Sequence, residues 1–287
     1  KLLKLHRGKH GEYDCIVPGR GGKDSCYASH ILKNKYGMNP LTVTWPPIMY
    51  TTYGYKNFKN WLNSDKLKNL GIEMVHELKG VGENLQDHLM FRPIYKVHGL
   101  KSLNKKINSL FGNLMIGLEY IFNRSGPMTM GASQMCMFAK SDPSLELPDL
   151  QWHVQPMSMD TLGATKNHDF HAFTPTVSNI RPTSRGHVSI ADKDSRTYAK
   201  IKMNYLSTDH DRMVAAKGLK LTRKIVMESE TFKKYRPEEY RPGIDINDNE
   251  ELVKAGSDYT QTIFHPVGTC KMGQDDMAVV DEKLRVK

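Results

Sequence analysis

Hydrophobic and polar positions recur along the chain at two different periods. Leu150-Gln151-Trp152-His153-Val154-Gln155-Pro156 alternates at period two, and so does His187-Val188-Ser189-Ile190, after the turn-rich run Arg181-Pro182-Thr183-Ser184-Arg185-Gly186. Strands separated by turn residues predict an antiparallel sheet. A helical period follows: Val214, Leu221 and Ile225 share one face of a helix expected over about 209–229, with Ser207, Thr208 or Asp209 as its cap. Residues 100–122 also repeat near the helical period, with Leu103, Ile107, Leu110 and Leu114 as core candidates. The start of the chain has another rhythm. Asp14-Cys15-Ile16-Val17-Pro18 reads as a buried strand, residues 25–36 as a helix closed by Gly37, and Leu41-Thr42-Val43-Thr44-Trp45 as a second strand. Strand, glycine loop, helix and strand in that order predict a parallel pair. The expected class is α+β: an antiparallel sheet carrying helices over residues 65–287, and a short βαβ-like appendage over residues 1–64.

Composition changes this picture little. The chain has 287 residues, enough for one large or two ordinary domains, with 39% hydrophobic and 25% charged residues. The formal net charge is +10, but the lysines are dispersed and no run of five basic residues occurs. No nucleic-acid-binding pattern accompanies them, so a diffuse basic surface is expected and no nucleic-acid partner. Cys15, Cys26, Cys136 and Cys270 form no C-x-x-C pair, giving neither a zinc framework nor a disulfide pattern. A reducing, cytoplasmic compartment is the expectation, with membrane association left open. No apolar run reaches the length of a membrane span.

Three stretches are candidates for chemistry. Gly19-Arg20-Gly21-Gly22-Lys23-Asp24-Ser25 precedes a helix that Asp24 or Ser25 can cap. A glycine loop opening a helix presents N–H groups to a phosphate, although a glycine-rich turn without a ligand has the same form. Gly80-Val81-Gly82-Glu83-Asn84-Leu85-Gln86-Asp87-His88 places five polar side chains close together after glycines. A hydrogen-bonded loop beside a ligand and a capped surface turn both fit that spacing. Lastly, Thr262-Ile263-Phe264-His265-Pro266-Val267-Gly268-Thr269-Cys270-Lys271-Met272-Gly273 sets one histidine on a Pro/Gly turn. A histidine held there can face a pocket and exchange a proton near neutral pH, whereas an isolated loop histidine is as a rule merely solvated. Met157–Met159 reads as core or pocket wall rather than a metal site, and Arg181 and Arg185 as parts of a turn, with an anion site as the alternative.

Taken together, these motifs carry a resemblance. Gly80–His88, Arg124-Ser125-Gly126-Pro127-Met128, Arg181–Gly186 and His265–Gly273 occur in the order found in the glucose-methanol-choline flavoprotein oxidoreductases. The run Arg181–Pro242 resembles the choline-dehydrogenase-like members. The resemblance covers residues 65–287 and implies a partial enzyme bearing the substrate domain. It further implies flavin adenine dinucleotide (FAD) as cofactor and a small primary alcohol as substrate. The electron acceptor stays open among oxygen, a quinone and a protein. His265 matches the pocket histidine that takes the hydroxyl proton, and Asn84, His265 and Pro266 fall near the flavin. The family's second substrate-binding position lies beyond Lys287, and no Gly-x-Gly-x-x-Gly for the flavin pyrophosphate appears.

Residues 12–64 instead resemble an N-acetyl sugar amidotransferase with an ATP-pyrophosphatase loop, matched at Gly21, Gly22, Lys23, Asp24 and Ser25. Arg20 stands where that family has its first serine. The chain therefore reads as two fragments joined near residues 62–66, by a fusion or by an artefact. Two alternatives to alcohol oxidation follow: an ATP-binding amidotransferase fragment, or an inactive fused fragment. An apolar sheet edge is expected to lie exposed and to favour association, including as a homo-oligomer.

Overall fold

The computed structural model describes residues 77–287, apart from 132, 162, 163 and 195, together with two strands nearer the start. Those two, β1 (Cys15–Gly19) and β2 (Pro40–Thr44), run parallel, from Cys15 opposite Pro40 to Gly19 opposite Thr44. This is the expected parallel pair. The loop residues Gly21, Gly22, Lys23, Asp24 and Ser25 and the helix expected after them lie outside the described residues. The chain divides into two compact units: Lys1–Glu77 with Ile190–Ala199, and Leu78–Ser189 with Lys200–Lys287.

The second unit opens with β3 (Leu89–Phe91) and β4 (Ile94–Lys96), then α1 (Asn104–Ile107) and α2 (Leu110–Asn123). Strands β5 (Met135–Ala139), β6 (Leu150–Gln155) and β7 (Ala172–Asn179) follow, and then the hairpin strands β8 (His187–Ser189) and β9 (Lys200–Lys202). The chain continues through α3 (Asp209–Glu228), α4 (Glu230–Lys233), β10 (Glu238–Arg241), α5 (Asn249–Ser257) and β11 (Gln261–Thr262). Seven of these strands form one antiparallel sheet around β7. One edge of β7 pairs with β6, which pairs in turn with β5. The other edge meets β3 at Ser178 and Val177, then β4 at Phe173 and Ala172. β11 borders β3, and β10 borders β4.

The centre of this sheet is the strand that pattern reading misses. β7 contains Pro175, and a proline argues against a central strand because it cannot donate to the ladder. The sheet places it at a break: on that edge neither β3 nor β4 is registered against Thr174, Pro175 or Thr176.

Alternation gives the sheet two unlike faces. Phe91, Leu150, Trp152 and Val177 pack against Val214, Ala215, Ala216 and Leu219 of α3 and Leu252 and Val253 of α5. Trp152 is only 1% exposed, and its indole N–H donates to Thr222 Oγ1 at 2.8 Å. The opposite face collects Met90, Gln151, His153, Gln155, Thr174, Thr176 and Ser178. Thr208 is the cap of α3, its side chain accepting from the Asp211 N–H. Of the helical face expected from the sequence, Val214 is buried while Leu221 and Ile225 are half-buried.

Residues 100–122 depart from expectation. They form two helices, because Ser109 restarts the chain by accepting from the Gly112 N–H. The restart shifts the helical phase, so a period counted across it assigns the wrong face. Leu110 and Leu114 are exposed (90% and 57%), whereas Gly112 and Ile116 are buried. Leu103 and Ile107 are half-buried. Met135 and Phe138, on the edge strand β5, are also exposed.

Asp211 ties the turn after β7 to the first turn of α3. Its carboxylate accepts from the N–H groups of Thr183 and Ser184, both at 2.8 Å, from Thr183 Oγ1 at 3.0 Å and from Asn179 Nδ2 at 3.2 Å. Burial alone would raise its pKa, but the bonds from Ser184 and Thr183 outweigh burial and hold it below the ordinary carboxyl value of 3.8. The stabilisation is therefore complete above the unfolded value and is lost as pH falls through the lower folded value. Asp211→Ala leaves buried donors unpaired and is expected to cost about 2–4 kcal/mol in urea unfolding followed by tryptophan fluorescence.

Candidate active site

The loop Gly80–His88 is stitched on both sides to distant parts of the chain. On one side, the N–H and C=O of Leu85 exchange bonds with Gly186 at 2.9 and 2.8 Å, and Val188 N–H donates to Gly82 O at 2.7 Å. On the other, Gln86 and Val267 exchange two bonds of 2.8 Å, and Gly82 N–H donates to Thr269 O at 3.0 Å. Two glycines make this approach feasible. A Cβ at Gly82 (φ +79°) would lie 2.3 Å from the Val188 carbonyl oxygen, and one at Gly268 (φ +102°) would lie 2.2 Å from that of Asn84.

Asp87 occupies the centre of the stitching and is 4% exposed. Its Oδ1 accepts from the His265 backbone N–H at 2.9 Å, while Oδ2 accepts from the hydroxyls of both Tyr205 and Thr262. Thr262 Oγ1 accepts in turn from Phe264 N–H at 2.9 Å, where the backbone takes φ +63°, an unusual value for a bulky residue. One carboxylate thus fixes both ends of the turn that carries His265. Burial, and then the bond to Asp87, raise the Tyr205 phenol, which therefore stays a donor.

His265 itself is exposed. Its Nδ1 lies 3.4 Å from Nδ1 of His88, with the rings edge to face at 76° and 5.4 Å between centroids. One of the two nitrogens must donate and the other accept, so the contact couples the tautomers of the pair. His88 is held below the ordinary imidazole value by burial and by His265, partly offset by Asp87 and by a bond to the Ile180 carbonyl. His153, on the polar face of the sheet, is lowered by burial and then by His265. Two imidazoles, those of His88 and His153, therefore resist protonation, each in part because of His265. Among the described residues none bonds Nε2 of His265, and no group of side chains is arranged to hold a metal ion.

The remaining candidates take supporting places. Asn84, at φ +59°, donates from Nδ2 to Gly268 O at 3.3 Å and accepts at Oδ1 from Arg185 Nε at 3.1 Å. It holds the His265 turn against the turn before β8. Arg185 Nη1 donates to the carbonyls of Pro182 and Ser184 at 2.8 and 3.0 Å, which gives Arg185 the turn-holding part expected for it. Pro266 is half-buried beside His265. A cavity of about 20 Å³, room for roughly one water, lies behind Asp87 against Leu89, Ser184 and Tyr205; none of the three histidines lines it. Sequence reading quotes Asp87 and His88 as motif letters without giving them roles. The available signal for His153 is its place in an alternating strand whose outward positions are all polar.

Residues 182–287 match the family model of the GMC oxidoreductases, a segment that includes His265. Wider similarity reaches the oxygen-dependent choline dehydrogenases. The chain is 37% identical to that of Pseudomonas fluorescens (strain SBW25) over 222 residues, covering 77% of this chain and 38% of the relative. It is 36% identical to that of Chromohalobacter salexigens over 226 residues, covering 78% of this chain and 40% of the relative. The chain thus spans about two fifths of the length of these relatives. Among solved structures, a formate oxidase superposes with TM-score 0.73 at 20% identity, over 87% of this chain and 48% of its own. A pyridoxine 4-oxidase from Mesorbium loti superposes with TM-score 0.62 at 24% identity, over 78% and 40% of the two chains. At these identities the superpositions establish a shared fold.

The histidine pair makes a titration prediction. Because folding depresses His88, its contribution to stability is present above its unfolded value near 6.5 and is lost as pH falls. His265→Ala removes one of the causes, so His88 should titrate closer to 6.5 in that variant, as followed by imidazole NMR.

Proposed function

We propose that this chain contributes the catalytic histidine to the FAD-dependent oxidation of a small primary alcohol, in the manner of a choline dehydrogenase, with His265 accepting the hydroxyl proton. The observation that supports this is the exposed imidazole of His265, fixed at its backbone by Asp87 and without a partner at Nε2 among the described residues. A proton acceptor must be held in place and must have a lone pair free, and the Asp87 clamp and the His88 contact favour both. His88, whose protonation burial disfavours, is suited to fix which nitrogen of His265 bears hydrogen.

The residues present fit the ring end of the cofactor. Phe264, His265 and Val267 are all exposed on one turn, presenting flat apolar surface with an imidazole among it. The described residues include no glycine loop for the pyrophosphate. FAD, when bound, supplies the hydride acceptor. On the protein side, His265 takes the hydroxyl proton as the carbon–hydrogen bond is lost, leaving an aldehyde. Asp87 keeps the turn from shifting as charge develops on the ring.

Addition of FAD to the purified chain, followed by an alcohol under anaerobic conditions, tests this reading. A bound flavin spectrum that bleaches on addition of the alcohol is expected. In His265→Ala the flavin should still bind, and bleaching should slow by about 10²–10⁴-fold. Absence of binding at saturating FAD, or an unchanged rate in the variant, would contradict it.

A further inference from the structure

We infer that Arg92, with Ser178 and His153, forms a recognition site for an anionic oxyacid group on the polar face of the sheet, so that the alcohol presented to His265 carries a carboxylate or phosphate. The inference rests on the alcohol-oxidation reading for the hydroxyl end of that molecule; the anion end rests on the following geometry alone.

Arg92 is 2% exposed, and among the described residues neither its Nε nor its Nη2 has a hydrogen-bond partner. Buried guanidinium groups are ordinarily paired, because an ion taken out of water without a partner is costly. Here the charged neighbour that Arg92 senses is a second cation, Arg241, whose own Nη2 is bound to Asp160 at 2.7 Å. Proximity to a like charge makes an uncompensated guanidinium still less favourable. A planar fork with two free donors on one side matches the two oxygens of an oxyacid.

Two further orphaned groups accompany it. Ser178 Oγ, on a residue 2% exposed, and His153 Nε2 are also buried without partners among the described residues. The sheet register sets Ser178 and His153 on one face, and Arg92 directly follows β3. Ser178 is paired with Met90, and Phe91, paired with Val177, points into the helical core. Arg92 lies one residue past the end of β3 and just before Pro93; carrying the strand's alternation one step further puts it on the face of Ser178. His153 is registered against Thr176 across the other edge of β7, on that same face. A hydroxyl, an imidazole and a guanidinium can each donate to an oxyanion, and none of them brings negative charge. The face leads towards the catalytic turn: Met90 is two residues beyond His88, and His153 is electrostatically coupled to His265. A quaternary ammonium placed here would meet Arg92 as a like charge.

The matched pair glycolate and ethylene glycol tests the site by calorimetric titration without flavin, with choline as the cationic control and glycerol phosphate to separate phosphate from carboxylate recognition. Glycolate or glycerol phosphate is expected to bind at least about tenfold more tightly than ethylene glycol or choline, with whichever anion binds tighter naming the oxyacid. The preference should disappear in Arg92→Met and survive in part in Arg92→Lys. The methionine variant should unfold at the same urea concentration as the parent or a higher one, since it removes an unpaired buried cation. Equal binding of glycolate, glycerol phosphate and ethylene glycol by the parent chain, or an anion preference that persists in Arg92→Met, would overturn the proposal. His265→Ala should keep the anion preference. If that variant also keeps full turnover with FAD, the oxidation reading fails while the anion site stands.

Discussion

The carboxylate of Asp87 is the constraint on which the site depends. It is nearly inaccessible to water, yet it accepts from the His265 backbone N–H and from two hydroxyls, those of Tyr205 and Thr262. Asp87 and the residues it joins come from three parts of the chain, with Tyr205 lying 118 positions and His265 178 positions from Asp87. A buried carboxylate is tolerable only when its lone pairs are filled, so the three segments must arrive together or not at all. The same requirement explains why the turn at Phe264 can hold a left-handed backbone: its N–H is bonded to a hydroxyl that Asp87 itself orients.

Around this clamp the sheet separates two tasks. Its apolar face closes on α3 and α5 through Trp152, Leu150 and Val177, and that packing makes the sheet rigid. Its other face holds polar groups at a density that an ordinary core would not accept, three of them without partners. Native proteins satisfy almost all buried polar groups, and exceptions concentrate where a ligand completes the set. Stability and chemistry therefore lie on opposite sides of the same strands, and β7 belongs to both.

Much of this was legible in the residues. β6 and α3 announce themselves by period, because each has one apolar face and one polar one, and Thr208 is a cap by residue type alone. Other features were hidden for physical reasons. Pro175 disguises β7, since only the break between β3 and β4 makes a proline harmless there. Ser109 resets the phase of a helix, which moved Leu110 and Leu114 from expected core to surface. His265 was visible as a histidine on a Pro/Gly turn within a family motif. Its neighbours were not, because His88, His153 and Asp87 meet it only through contacts spanning more than a hundred residues. Arg92 drew no notice, as a lone arginine reads as surface until its burial is known.

Amide hydrogen exchange in the Asp87→Asn variant tests the clamp most directly. An asparagine of the same shape cannot accept on both sides, so protection across 262–268 should fall while β6 and β7 keep the protection of the parent chain. Unchanged protection of the His265 amide would show that the turn is held by something other than Asp87. Uniform loss throughout the sheet would make Asp87 a determinant of the fold as a whole and contradict its role as a local clamp.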